Sequence, residues 1–428
     1  MTHPTGPVVA WRCAVCAATV DIAVPHAFVC PNATPTDRHH VLHPVIATAG
    51  AGQPGDDLGA PNPFVRYAPR LAWWAFAAAN GMTESARLAL AEDVAAGFVT
   101  TPFAPHSLEL FPEGATGWPT TVWVKDETGA VGGSHKARHL AGILLHLRAA
   151  ELLGLAPGGT GARPPLAIAS CGNAAIAAAT LAQRVEWPLH VFVPTWASPA
   201  VLTLLADLGA TITECPRRDD DPPGDPAVLR FREAVTAGAI PFSVQGPENG
   251  QCLDAGRTLG FELADAVGTA DGPDRLDRVV VQVGGGALAA CVGWGLGPDV
   301  RLDTLQAQGC APLARAWWRA KDAGVTGAGL AGRWSQLMTP WVDPHSSADG
   351  ILDDETYDWL ADISVMQASG GRPLVAPEEA IERATAIAAT TGIPVSATGA
   401  AGLAGLLVAD GRPTRGERVA VIFSGVRR

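Results

Sequence analysis

The chain has 428 residues, 48% hydrophobic and 17% charged, with a formal net charge of −12. That length predicts two or three domains, and the composition suits a large buried core and excludes a disordered chain. The acidic balance, with no basic stripe, argues against nucleic acid as a partner. No apolar run reaches the roughly 20 residues that a bilayer span requires, so no membrane partner is expected. The chain opens without a signal-peptide pattern, and its eight cysteines are scattered, unlike a secreted disulfide scaffold. The expected location is cytoplasmic.

The first 45 residues hold Cys13-x-x-Cys16, then Cys30, and His39, His40 and His43. The pair Cys13 and Cys16 suits one edge of a tetrahedral zinc site. Cys30 and His39 are the candidates for the other edge, although the second half is not a standard pair, and a metal-free remnant is the alternative. A metal here is expected to be structural. Residues 47–62 are Gly, Ala, Pro and Asp, a linker by composition, and Ala-rich helical text follows to about Gly97. Residues 100–110 read as an extended arm, and 112–119 as a turn.

From residue 120 strands and helices alternate. Strands are predicted at 121–124, 166–170, 189–194, 211–215, 279–283, 304–308 and 419–423, and helices at 137–155, 173–184, 198–208, 226–237, 253–267, 288–294 and 377–390. Runs such as VVVQV and VAVIF are apolar throughout, as in parallel strands covered on both faces. The fold class is therefore α/β, with mostly parallel sheets flanked by helices.

Four segments carry chemistry. In KDETGAVGGSHKARH (125–139) a glycine turn leads to Lys136 at the mouth of an apolar helix. Ser134 suits a cap for the first turn, whereas an ammonium at the positive end of a helix is misplaced for stability. Ser170-Cys171-Gly172-Asn173 joins a strand to a helix; its backbone N–H groups suit a carboxylate or phosphate, and a plain N-cap is the alternative. Cys171 reads as a small buried thiol. Gly284-Gly285-Gly286-Ala287 follows VVVQV and opens another helix, which suits a single phosphate ester; a tight turn is the alternative. Ser424-Gly425 ends the last strand, where a hydroxyl suits an unprotonated ring nitrogen.

Together, KDE…GSHK, S-x-G-N before a helix, GGGAL after a strand and the late Ser-Gly resemble, in order, the fold type II pyridoxal-phosphate enzymes of the tryptophan-synthase-β family. The resemblance covers roughly residues 62–425. Within that family the chain looks most similar to threonine synthase, through its N-terminal Cys-x-x-Cys, NPFVRY (62–67), SCGNAAIAAATLAQ, HVFVPTWASPA, QAQGCAP (306–312) and ASGG (368–371). The resemblance implies pyridoxal 5'-phosphate as cofactor. Lys136 would be the Schiff-base lysine, and Gly284, Gly285, Gly286 and Ala287 the phosphate cup. Asn173 would bond the ring hydroxyl, Ser424 would face the ring nitrogen, and Ser170, Cys171 and Gly172 would take the substrate carboxylate. It also implies a homodimer, an extension at 1–60, a large cofactor domain of 61–135 and 241–428, and a small mobile domain of 136–240.

His135 before the lysine, Ala-Val ahead of Gly-Gly-Ser and Ala137 after the lysine depart from threonine synthase. The expected activity is a lyase acting on a small hydroxy- or O-phospho-amino acid, with Lys136 as general base. The alternatives are a serine/threonine ammonia-lyase, a β-replacing synthase of the tryptophan or cysteine type, and a catalytically silent binding protein.

Overall fold

The structure is a computed structural model, and it describes residues 6–34, 37, 39–47, 59–111, 120–157, 163–222 and 224–428. Residues 48–58 of the expected linker and the turn expected at 112–119 lie outside the described residues.

Thirteen strands form three sheets. The first 46 residues contribute β1 (Val8–Cys13), β2 (Thr19–Asp21) and β3 (Leu42–Ile46), an antiparallel sheet in the order β2-β1-β3. The largest sheet has six strands in the order β12-β11-β10-β13-β5-β4, where β4 is Phe103–Leu108, β5 Thr120–Asp126, β10 Arg278–Gln282, β11 Arg301–Ala307, β12 Pro373–Ala376 and β13 Val419–Phe423. All its pairings are parallel except β4 against β5. A four-stranded parallel sheet, β8-β7-β6-β9, is built from β6 (Leu166–Ala169), β7 (Leu189–Val193), β8 (Thr211–Glu214) and β9 (Ile240–Pro241).

The apolar runs end up where their composition directs them. Every residue of β10 and β13 is buried, because helices cover both faces of the six-stranded sheet. The extended arm is the antiparallel edge strand β4. Strand β11 begins three residues before the apolar pattern does, because Arg301 and Asp303 join a buried ion cluster with Arg278 and Glu417. The single helix expected over 253–267 is two, Cys252–Ala255 and Arg257–Ala266, meeting at Gly256. There the backbone passes so close to His139 and Cys291 that a Cβ would lie 2.5 Å from the imidazole and 2.8 Å from the thiol sulfur.

A buried ion network stands beneath the Lys136 segment. Lys125 Nζ lies 2.6 Å from Glu262 and donates to the Thr101 carbonyl. Arg138 forks onto Glu127 and Glu262 at 2.6–2.9 Å. Each of these four side chains is at most 2% exposed. Three of the charges that make 125–139 conspicuous in sequence thus tie β5 and the helix Lys136–Leu152 to the helix Arg257–Ala266. Of the other two, Asp126 accepts from the Thr128 N–H and hydroxyl at 2.8 and 2.7 Å, and Lys136 is the cation left over.

Candidate active site

Lys136 is the first residue of the helix Lys136–Leu152. The turn before it needs glycine, since Gly132 and Gly133 take φ of 68° and 72°. Two backbone bonds sew this turn to the end of β13: His135 N–H donates to Ser424 O at 3.0 Å, and Val426 N–H to Gly133 O at 2.9 Å. The amine is thereby held at the carboxyl ends of parallel strands, where ligands of open α/β sheets bind. Burial pushes the Lys136 ammonium below its usual range, and Asp353 and Asp358 are the nearest carboxylates opposing that shift.

Ser134 does not cap the helix. His135 occupies the cap position with helical dihedrals, and the Ser134 hydroxyl is fully buried with no hydrogen-bond partner among the described residues. A buried orphan hydroxyl two residues from a half-buried amine suits a polar group supplied from outside the chain.

The glycine turn is a cradle that excludes side chains. Gly286 takes φ of 105°, and a Cβ on Gly285 would lie 3.0 Å from the Tyr357 ring; on Gly284 or Gly286 it would run into the carboxyl of Asp353 or Asp362. Ala287 opens the helix Ala287–Leu296. The segment 353–362 walls this turn: the Asp358 N–H donates to Gly285 O at 2.8 Å. Burial raises the carboxyls there, Asp353 to about 6, Asp358 to about 8 and Asp362 well above the usual range. Lys136 opposes the rise at Asp353 and Asp358. The sequence reading missed this wall, which lies some seventy residues after the turn and reads as an acidic loop.

Ser424, 5% exposed, follows β13. Its oxygen accepts from Gln282 Nε2 at 2.8 Å, and the same amide nitrogen is held by Gly399 O at 2.8 Å. With Gln282 donating, the Ser424 proton is free to be given to an acceptor. Gln282 was also missed, although one polar residue at the end of an apolar strand is a readable signal.

Asn173 starts the helix Asn173–Arg184, and Gly425 passes so close that a Cβ there would lie 2.8 Å from Asn173 Nδ2. The guanidinium of the C-terminal Arg428 donates to Asn173 Oδ1 and to the Gly132 carbonyl at 2.5 Å. Ser170, Cys171 and Gly172 lie half-buried between β6 and that helix, with Ser170 Oγ accepting from Gly172 N–H at 3.3 Å. Burial first, then Asp225, raises the Cys171 thiol, which keeps it protonated and unsuited to act as a nucleophile.

The structure therefore brings Lys136, Asn173, Gly284–Ala287 and Ser424 to one place, with Ser170–Gly172 at the start of the neighbouring helix. Those donors fit pyridoxal phosphate: a half-buried amine of lowered basicity, a glycine turn opening a helix, and a hydroxyl with a free proton. A family model, "Pyridoxal-phosphate dependent enzyme", matches residues 100–425. The chain belongs to this family. The fold agrees: maize serine racemase superposes with a TM-score of 0.60 at 18% identity, covering 80% of this chain and 92% of its own. Threonine deaminase from T.th. gives 0.58 at 20% identity, covering 81% and 98%. A fungal L-serine ammonia-lyase from Rhizomucor miehei gives 0.56 at 16%, covering 77% and 94%. No curated protein matches the chain. Among the described residues no helix is long and apolar enough to cross a membrane.

The N-terminal cluster of this pyridoxal-phosphate-family chain differs from expectation in one ligand. Cys13, Cys16, Cys30 and His40, not His39, have side-chain donor atoms within 4.8 Å of one another. His39 instead accepts from Trp359 Nε1 at 3.1 Å and packs on the Trp334 ring. Neighbouring residues on the run into β3 point opposite ways, so one histidine faces the cysteines and the other the enzyme body.

Proposed function

We propose that the protein is a pyridoxal-phosphate-dependent lyase that removes water from a small hydroxy-amino acid such as serine or threonine, and that water then hydrolyses the released enamine to a 2-oxo acid and ammonia. The observation that carries this reading is the half-buried Lys136 amine, facing Asp353 of the wall of the glycine turn, backed by a neutral donor, Ser424, instead of a carboxylate. When bound, pyridoxal phosphate supplies an electron sink for the charge left at the substrate α-carbon. The roles of this chain are to hold and move protons around it. Burial leaves more of the Lys136 Nζ unprotonated at neutral pH than in a free lysine, so it can accept the α-proton. The same nitrogen, then an ammonium, is the proton source for the departing β-hydroxyl, which leaves as water. The Ser424 hydroxyl, aimed by Gln282, donates to the ring nitrogen without charging it, which favours elimination over transamination. In the Ser170–Gly172 turn the Ser170 hydroxyl and the Cys171 amide are the groups offered to the substrate carboxylate, the Ser170 and Gly172 N–H groups being held by Phe192 O and Ser170 Oγ, and the 136–240 domain is the piece that closes over it.

The solved structures of threonine deaminase and serine ammonia-lyase support this choice. So does the local charge: Asp225 and Asp349 both act on Cys171, at the turn expected to face the substrate, a poor setting for a phosphorylated substrate. The threonine-synthase-like reading, with O-phosphohomoserine as substrate, draws on the Arg428 guanidinium beside Asn173 as a phosphate partner. We also assign a structural zinc to the N-terminal cysteines, and a cytoplasmic homodimer as the working form.

Cofactor-loaded protein incubated with serine, threonine and O-phosphohomoserine separates the readings. A 2-oxo acid and ammonia from serine or threonine is the expected result. Phosphate release from O-phosphohomoserine, with no 2-oxo acid from the others, overturns it. Lys136→Ala should abolish turnover and the near-visible absorbance of bound cofactor.

A further inference from the structure

A metal at the cysteine cluster is expected to be structural, and the cluster's own geometry and its attachment both bear on that. A tetrahedral zinc with bonds of about 2.3 Å to sulfur and about 2.0–2.1 Å to nitrogen requires edges of about 3.8 Å between sulfurs and about 3.6 Å from sulfur to nitrogen. Cys16 Sγ lies 3.7 Å from Cys30 Sγ, and His40 Nδ1 lies 3.5 Å from Cys13 Sγ and 3.8 Å from Cys30 Sγ. The surrounding groups suit bound thiolates. Val15 N–H donates to Cys13 Sγ and Asn32 N–H to Cys30 Sγ, each at 3.4 Å, and Asn32 Nδ2 reaches Cys16 Sγ at 3.3 Å. His40 Nε2 lies 3.3 Å from the Asp37 carboxylate, the outer partner that fixes a metal-bound imidazole.

His39, one residue from His40, reaches the other way. Its Nδ1 takes the Trp359 indole N–H, and Trp359 is fully buried at the start of the helix Trp359–Ser369. The peptide before it, Asp358 N–H, is the one bonded to Gly285 O, and Asp362 of the same helix lies against Gly286. Val41, next along, sits against Gly246 beside the Asp358 carboxyl. Further bonds, from Gly250 N–H to Phe28 O at 2.7 Å and between His146 Nε2 and Pro25 O at 2.6 Å, hold the head to the body.

We propose that Cys13, Cys16, Cys30 and His40 hold one zinc ion, and that this ion, by fixing His39 against Trp359, seats the wall of the glycine turn and so sets the affinity for the cofactor phosphate. This rests on the zinc assignment made above and adds a coupling to the cofactor site. Holding His40 by metal fixes the backbone of its neighbour. The His39 acceptor then locates Trp359, and Trp359 locates the Asp358 peptide on Gly285.

The test uses the full chain. Zinc per chain is measured by elemental analysis, pyridoxal-phosphate affinity by absorbance titration, and the thermal midpoint alongside, for wild type, Cys30→Ser, His40→Ala, His39→Leu, His39→Gln and Trp359→Phe. Wild type should carry one zinc, and Cys30→Ser and His40→Ala none. His39→Leu and Trp359→Phe should keep the zinc yet bind the cofactor about 10-fold more weakly, while His39→Gln, which restores an acceptor, should recover much of that loss. A wild type without zinc, or with Cys16 and Cys30 joined as a disulfide, overturns the zinc assignment itself. One zinc per chain with unchanged cofactor affinity in His39→Leu and Trp359→Phe leaves the zinc standing and overturns the coupling. A fall in thermal midpoint alone counts as that second result.

Discussion

At Ser424 a single hydrogen decides what the residue can do. A serine hydroxyl has one proton and two lone pairs, so a neighbour that donates to it leaves its own proton for a third group. Gln282 is such a neighbour: its amide N–H groups are claimed by Gly399 O and Ser424 Oγ, both at 2.8 Å. Replacing Gln282 by Met keeps the length and removes the donor. Ser424 is then free to turn its proton elsewhere, for example to the Gly399 carbonyl. The expected outcome is a kcat about 10- to 100-fold lower with KM changed much less, since outer partners of a reactive site have effects of that size. Steady-state kinetics on the cofactor-loaded variant checks it, and an unchanged kcat would show that the hydroxyl's direction does not matter. Lys136, the glycine triplet and Ser424 were all legible in the sequence, because each breaks a local rule: a cation at a helix start, three glycines in a row, a hydroxyl after an apolar strand. The acidic wall breaks no local rule, and Gln282, a polar residue near the end of an apolar strand, breaks one without saying what it will bond. They matter only because the fold carries them to the turn, and sequence separation hides that. His39 and His40 show the same limit at closest range, since which of two adjacent histidines faces the cysteines depends on the direction of the backbone.

Among the elements, the apolar strands could be read and the polar joints could not. Strand β13 and the helix Asn173–Arg184 begin and end where their patterns do, because nothing but burial shapes them. Strand β11 starts earlier than its pattern because Arg301 and Asp303 pair out of sight of the apolar count. The helix Trp359–Ser369 and the strand Pro373–Ala376 carried no apolar period strong enough to be singled out, whereas the helix Pro312–Asp322, which buries Leu313, Ala316 and Ala320 along one face, was readable as amphipathic and was missed. The helix Lys136–Leu152 owes its position to Arg138, whose guanidinium is shared between Glu127 and Glu262 with 2% of the side chain exposed. Removing one member of such a network leaves uncompensated charge in the core. Arg138→Met should therefore lower unfolding stability by about 3–5 kcal/mol, measured by urea denaturation. The Glu127→Gln and Glu262→Gln pair added to Arg138→Met should recover part of it, because uncharged partners no longer need the guanidinium. A loss under about 1 kcal/mol for Arg138→Met would mean that water reaches the network.

For the whole molecule, pH response follows from where its acids are. Most carboxylates of a folded protein are paired on the surface, and their loss at low pH drives acid unfolding. Here several are buried around the glycine turn, and burial raises them, Asp353 to about 6, Glu355 to about 7 and Asp358 to about 8, with Asp362 well above the usual carboxyl range. Between an unfolded-state value of about 4 and those folded-state values, the folded chain holds protons that the unfolded chain has released. Stability in that window must fall as pH rises, by about 1.4 kcal/mol per pH unit for each proton held. Glu262 acts in the opposite sense: Arg138 and Lys125 outweigh its burial and lower it, so its contribution is lost only as pH falls below the usual carboxyl range. The net charge of −12 adds self-repulsion in the same direction as the buried acids. Buried histidines pull the other way at the acid end: burial lowers His43, His139 and His146 to about 4 and His135 well below its usual range, so below about 6.5 the unfolded chain binds protons that the folded chain does not. The cofactor-free protein should therefore be most stable near neutrality, with a thermal midpoint that falls from about pH 7 to about pH 8. Asp358→Asn, which removes the acid raised to about 8, should flatten that slope by about one proton's worth and already raise the midpoint at about pH 6, the two proteins converging only near pH 4, where this carboxyl is protonated in both states. Melting curves at half-unit pH steps check both, and a wild-type midpoint that is level or rising across that interval would mean that these carboxyls are already ionised in the folded protein.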